Sequence, residues 1–186
     1  MKEIGDKDMI IYFQTSLSLP GCLIFINLKK HKIKKKLIDT IISGGQTGVD
    51  IAALEFALQI GINHKGFCPK GRINESGIIP QTFNLIETYT SDHQIRTRYN
   101  ILSSGGTLIL YTTKLYEGTE YTRSYCLSVK KPLLLVSLQN SFSSNIITLN
   151  NWIRSHTITS LNIAGPRESE ENNYQKVKEF LLEWWK

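Results

Sequence analysis

The sequence predicts an α/β fold: a three-layer sandwich with a mainly parallel sheet of about five or more strands and helices on both faces. Three observations predict it. From Leu37 onward, short apolar or β-branched runs alternate with stretches of helical spacing, the signature of βαβ units. Glycine-bearing turns stand where several of those runs end, as they do where a strand turns sharply into a helix. The composition, 41% hydrophobic and 20% charged over 186 residues, is that of an ordinary globular chain long enough for one filled core.

Residues 1–36 read as an N-terminal extension. Two short apolar runs, Met9 to Phe13 and Cys22 to Leu28, are separated by Ser16, Ser18, Pro20 and Gly21, and the domain boundary falls near Lys36. Leu37 to Ile42 is a buried strand. Ser43 to Gly48 is a turn, and Asp50 to Ile60 has helical spacing at Ala53, Leu54, Ala57 and Leu58, stopped by Gly61. His64 to Cys68 is a short strand, Pro69 to Pro80 a Gly/Pro-rich stretch, and Leu85 to Thr88 a further strand. Ser91 to Ser103 is helical, with Ile95, Tyr99 and Leu102 on one side. Thr107 to Tyr111 is a strand, Thr119 to Lys130 a helix and Leu133 to Val136 a strand. Leu149 to His156 is a helix, Leu161 to Ala164 the last strand, and Glu170 to Trp185 the closing helix.

Charge and cysteine usage narrow the function classes. The net charge of +6 equals the number of lysines at positions 29, 30, 32, 34, 35 and 36, so the rest of the chain is neutral. That run reads as a solvated connector. Nucleic acid is not an expected partner, because basic residues are not spread over a folded face with aromatics among them. No apolar run approaches the ~18 residues of a membrane span, and the acidic start, Met1 to Asp8, is unlike a secretory leader. A cytoplasmic location is expected. Cys22, Cys68 and Cys126 match no metal, redox or disulfide spacing.

In parallel sheets ligands bind beyond the carboxyl ends of the strands, which makes the strand ends the site candidates. The first strand runs into Gly44-Gly45-Gln46-Thr47-Gly48, glycines that admit a close ligand ahead of a helix start whose free N–H groups suit an oxyanion. A branched side chain at Gly45 is expected to intrude where the anion sits. Thr47 and Asp50 also form a capping-box pattern, so Asp50 is either a capping group or a contact to a ligand hydroxyl or metal. Lys70, Gly71 and Arg72 follow the second strand and could bring positive charge to the anion. Arg96 and Asn100 share a helix face. Gly118 and Thr119 open a later helix, and Gly165 and Arg167 follow the last strand.

These motifs resemble the putative molybdenum carrier family: IISGGQTGVD (41–50), CPKGR (68–72), Arg96-Thr97 to Asn100, GTLIL (106–110), Gly118-Thr119 and LNIAGPRES (161–169). The resemblance covers about residues 37–186. It implies a Rossmann-like fold, within a superfamily that includes the lysine-decarboxylase-like phosphoribohydrolases, and a site for a nucleotide-like or oxyanion-bearing ligand. Molybdenum cofactor, molybdate and a nucleotide are the cofactors it suggests. Two departures are visible: Ile51 stands where family members usually carry Arg, and Glu117 where they usually carry Gly. The P-G-G-x-G-T-x-x-E motif of the hydrolases is not matched, since Thr122 occupies the Glu position. The leading expectation is a binding protein for a small phosphate or oxyanion ligand, without membrane association, and a homo-oligomer. The alternative is a nucleotide N-glycosidic hydrolase using Asp50, Glu75 or Glu120 as acid/base.

Overall fold

The computed structural model describes residues 37–186. The expectations for residues 1–36, including the two apolar runs and the lysine cluster, lie outside the described residues. The chain order is β1 (Thr40–Ile42), α1 (Val49–Ile60), β2 (Asn63–Cys68), β3 (Ile73–Asn74), β4 (Gly77–Ile78), β5 (Leu85–Glu87) and α2 (His93–Leu102). It continues with β6 (Gly106–Tyr111), α3 (Glu117–Ser128), β7 (Leu133–Ser137), α4 (Phe142–Ser155), β8 (Ser160–Ala164) and α5 (Tyr174–Trp185). Six strands form one parallel sheet in the order β5-β2-β1-β8-β6-β7. β3 and β4 pair as a separate antiparallel hairpin.

The predicted three-layer sandwich is the observed one. Its last strand, β8, lies in the middle of the sheet between β1 and β6. One layer is α1, α4 and α5, and the other is α2 and α3. The period-2 alternation of strand side chains assigns residues to the two faces. Ile41, Leu108, Leu110, Leu161 and Ile163 join the larger core with Phe56, Leu149, Ile153, Phe180 and Leu181 from α1, α4 and α5. A smaller cluster of Leu54, Cys68, Ile79, Phe83 and Leu85 fills the β2–β5 end. The intervening strand residues include two polar groups, Thr107 and Asn162. They sit in register on adjacent strands, are buried, and are joined by an Asn162 Nδ2 to Thr107 Oγ1 hydrogen bond of 3.2 Å.

Four local expectations are corrected. Helix α4 begins at Phe142 rather than Leu149; its Ser/Asn-rich first turns look like a loop, but Ile146, Leu149 and Ile153 carry its buried side. The buried side of α2 is Asn100 and Ile101, while Tyr99 and Leu102 are exposed. There the Asn100 amide replaces an apolar anchor: its Oδ1 accepts from Phe67 N at 2.7 Å and its Nδ2 donates to Phe67 O at 3.0 Å. Helix α5 starts at Tyr174, not Glu170, because residues 167–173 are held in a loop by their own carboxylates. The capping box at α1 is absent: the N-cap is Gly48 without a side-chain cap bond, for Thr47 and Asp50 are engaged elsewhere. Gly61 does end α1, in the left-handed conformation.

Candidate functional site

A cleft of about 270 Å³ opens beyond the carboxyl ends of β1 and β8, between the starts of α2 and α3. Nine of the residues expected at a site line it: Gly44, Gln46, Asp50, Arg96, Asn100, Gly118, Thr119, Gly165 and Arg167. They come from four separate segments, 44–50, 96–100, 118–119 and 165–167, and parallel topology brings them together because every strand end faces the same edge of the sheet.

The floor of the cleft is an ion pair. Arg96 Nη1 lies 2.7 Å from Asp50 Oδ2, with the two side chains 14% and 5% exposed. The same carboxylate oxygen accepts from Gln46 N at 3.2 Å. Asp50 is therefore neither a helix cap nor a free carboxylate but the anchor that fixes the Arg96 guanidinium. Gly44 makes this possible: a Cβ there would collide with Arg96 Nη1 and stand 2.6 Å from its Cζ. Arg96 Nε is buried with no partner.

The wall opposite is the first turn of α3. Glu117, Gly118 and Thr119 line the cleft, and the helix has no side-chain cap, so its first amides are available to an acceptor. Thr119 is 3% exposed and its Oγ1 has no hydrogen-bond partner. Arg167, partly exposed, contributes a second cation, its Nε 3.4 Å from Glu170 Oε1. His93 also borders the cleft; burial, then the charges of Arg96 and Arg167, hold its imidazole below the usual range.

The remaining expected residues are placed elsewhere. Gly45 has φ +75°, and a Cβ on it would meet Leu85 Cδ1 at 2.9 Å and Ile79 Cδ1 at 3.1 Å. It packs on the smaller core and does not line the cleft, whereas the sequence placed it where a side chain would block the ligand. Gly48 and Thr47 contact the loop after β8: a Cβ at Gly48 would stand 2.7 Å from Pro166 O, and Thr47 Oγ1 accepts from Glu168 N at 3.1 Å while donating to Glu75 Oε1. Two of the amides expected to hold an anion are also taken internally, Gln46 N by Asp50 and Thr47 N by Gln46 Oε1. Lys70 is exposed and away from the cleft, and Gly71 N donates to Glu87 Oε2.

Arg72 is the clearest departure. It is 6% exposed, and its guanidinium donates to the carbonyls of Leu85, Pro80 and Phe83 at 2.8, 2.9 and 3.1 Å and to Ile79 O at 3.4 Å. With Nη1 also donating to Cys68 Sγ at 4.0 Å, all five donors are engaged, and the side chain ties the 79–85 loop to the hairpin base. The carboxylates of the hydrolase alternative also separate. Glu75 bridges Thr47 and Ser169, Glu120 pairs with Arg123 at the surface, and only Asp50 lines the cleft.

Sequence reasoning missed Tyr121, Asn162 and Glu170 as lining residues. Asn162 carried a signal, a polar residue inside the apolar run Leu161 to Ala164. Tyr121 stands three residues after Gly118, on the same side of the helix.

Residues 41–185 match the model of the circularly permutated YpsA SLOG family. The chain belongs to that family. Among solved structures, this SLOG chain is similar to one from Syntrophus aciditrophicus SB, named "Putative molybdenum carrier protein", with 43% identity and a TM-score of 0.77. The similarity covers 80% of the present chain and 95% of the other. No curated protein matches this SLOG chain. Among its described residues, no helix is long and apolar enough to cross a membrane.

Proposed function

We propose that the protein binds a small molecule bearing a phosphate or another oxyanion in this cleft, a nucleotide-like compound, molybdenum cofactor or molybdate. One observation carries the reading. Two buried donors, Thr119 Oγ1 and Arg96 Nε, have no partner, and both belong to residues lining the cleft beside the uncapped start of α3. Buried polar groups are nearly always paired, so a pair of orphans in one cleft points to an absent acceptor. An anion at a helix N-terminus supplies acceptors to both and meets the helix's partial positive charge. The solved relative's name as a molybdenum carrier supports an oxyanion ligand. Binding is favoured over hydrolysis because Asp50, the one proposed acid/base carboxylate in the cleft, is committed to Arg96 and Gln46.

Thr119→Val tests the reading. The hydroxyl makes no bond in the free protein, so its replacement by a methyl group leaves the melting temperature unchanged or slightly raised. Calorimetric titration with inorganic phosphate, AMP and molybdate should show at least one binding to the wild type and weakening about tenfold in the variant. Equal affinity in both proteins would remove α3 from the site.

A further inference from the structure

We propose that Tyr121, steadied by Arg98 and Tyr125, is a stacking subsite for a planar heteroaromatic ring. On this inference, which rests on the oxyanion reading above, the ligand is a phosphomonoester of a nucleoside or similar ring compound rather than a bare oxyanion. The structure supplies three observations. Tyr121 borders the cleft and stands on α3, the helix whose first turn holds the orphaned Thr119 hydroxyl. Its ring is held in place: Arg98 Nε donates to Tyr121 Oη, the guanidinium carbon lies 5.7 and 5.5 Å from the Tyr121 and Tyr125 ring centroids, and the two rings are near-parallel at 15° with centroids 6.2 Å apart. A pre-ordered aromatic plate costs a ligand little ordering entropy when it stacks.

The third observation is Gly118. Helical side chains lean toward the N-terminus, so position 118, three residues before Tyr121, is where a side chain would compete with a ligand for the space next to the ring. A Cβ built there meets nothing within 4 Å. Neither packing nor a positive φ requires glycine at this position, although glycine in a helix is unfavourable relative to alanine. The residue leaves open the path between the helix's first amides and the Tyr121 ring.

The experiment compares AMP, ribose 5-phosphate, inorganic phosphate and molybdate by calorimetry on the wild type, Tyr121→Ala, Tyr121→Phe and Gly118→Val. The wild type should bind AMP about tenfold or more tightly than ribose 5-phosphate, on the scale of one base–aromatic stack. Tyr121→Ala should lower AMP to the level of ribose 5-phosphate while leaving ribose 5-phosphate unchanged, and Tyr121→Phe should keep most of the preference. Gly118→Val should lose AMP without a loss of melting temperature large enough to signal misfolding. Equal wild-type binding of AMP and ribose 5-phosphate, or molybdate alone binding, would overturn the ring subsite and leave the oxyanion reading standing. Failure of all four probes to bind would overturn both.

Discussion

Gly44→Ala is the substitution by which the site's architecture can be tested most directly. The backbone there does not need glycine, since Gly44 is not among the positive-φ residues. Alanine alone would therefore help, by roughly 0.5 kcal/mol of unfolded-state entropy. The obstacle is the side chain of Arg96, whose Nη1 occupies the Cβ position and whose Cζ lies 2.6 Å away. Arg96 must leave, and with it goes the 2.7 Å contact to Asp50, a carboxylate only 5% exposed. Removing one partner of a buried pair costs about 3–5 kcal/mol. Here Arg96 can swing into the open cleft and Asp50 keeps the Gln46 amide, which places the loss just below that range, about 2–3 kcal/mol. Subtracting the entropy gain leaves about 2 kcal/mol. In a domain of this size that is a fall in melting temperature of roughly 4–8 °C. The effect on binding should be of similar size, about 10- to 100-fold, because the released Arg96 no longer presents its guanidinium in the position that Asp50 fixes.

The matched control is Gly45→Ala, where φ is +75° and the new Cβ would press on Leu85 and Ile79. It should cost about 1–3 kcal/mol in strain and leave affinity for AMP or molybdate per folded molecule intact. Thermal melts and calorimetric titrations of the two variants side by side give the answer. If Gly44→Ala binds as the wild type does while Gly45→Ala loses affinity, the ion-pair floor is not the binding surface and the reasoning is wrong.

Two further outcomes follow from groups that stand outside the cleft. Arg72→Ala should destabilise by about 3–5 kcal/mol in urea titrations, because several buried carbonyls lose a charged donor, while Lys70→Ala, at an exposed position, should stay within ~0.5 kcal/mol; neither should change ligand affinity of the folded protein. For Glu75, burial raises the carboxyl, but hydrogen bonds from Ser169 and Thr47 and the Arg167 charge outweigh it and hold the pKa below the ordinary 4.5. The stabilisation is then fully present above pH 4.5 and is lost as the pH falls through the lower folded value. The stability difference between wild type and Glu75→Gln should shrink over that acid window in pH-resolved melts, and a difference that grows there would contradict the assigned bonds.

The sequence by itself determined the layered architecture and most of its elements. Alternating β-branched runs and helical spacing report burial on one face or two, which is a local property of the chain, so most strands and helices from Leu37 on could be read off without a structure, while the β3–β4 hairpin and the first turns of α4 could not. Gly61, a helix stop by local conformation, was equally readable. The grouping of Gly44, Asp50, Arg96, Thr119, Gly165 and Arg167 around one cleft followed from the rule that parallel strand ends share an edge. The direction of each side chain was decided by tertiary structure. Gly44 and Gly45 are adjacent in a glycine motif, yet one faces Arg96 and the other the smaller core. Arg72 follows a glycine turn and Arg96 stands inside α2, yet carbonyls of the 79–85 loop claim the first and a single carboxylate from α1 positions the second. Those partners lie 7 to 46 residues away in the chain, and only folding brings them within hydrogen-bonding reach.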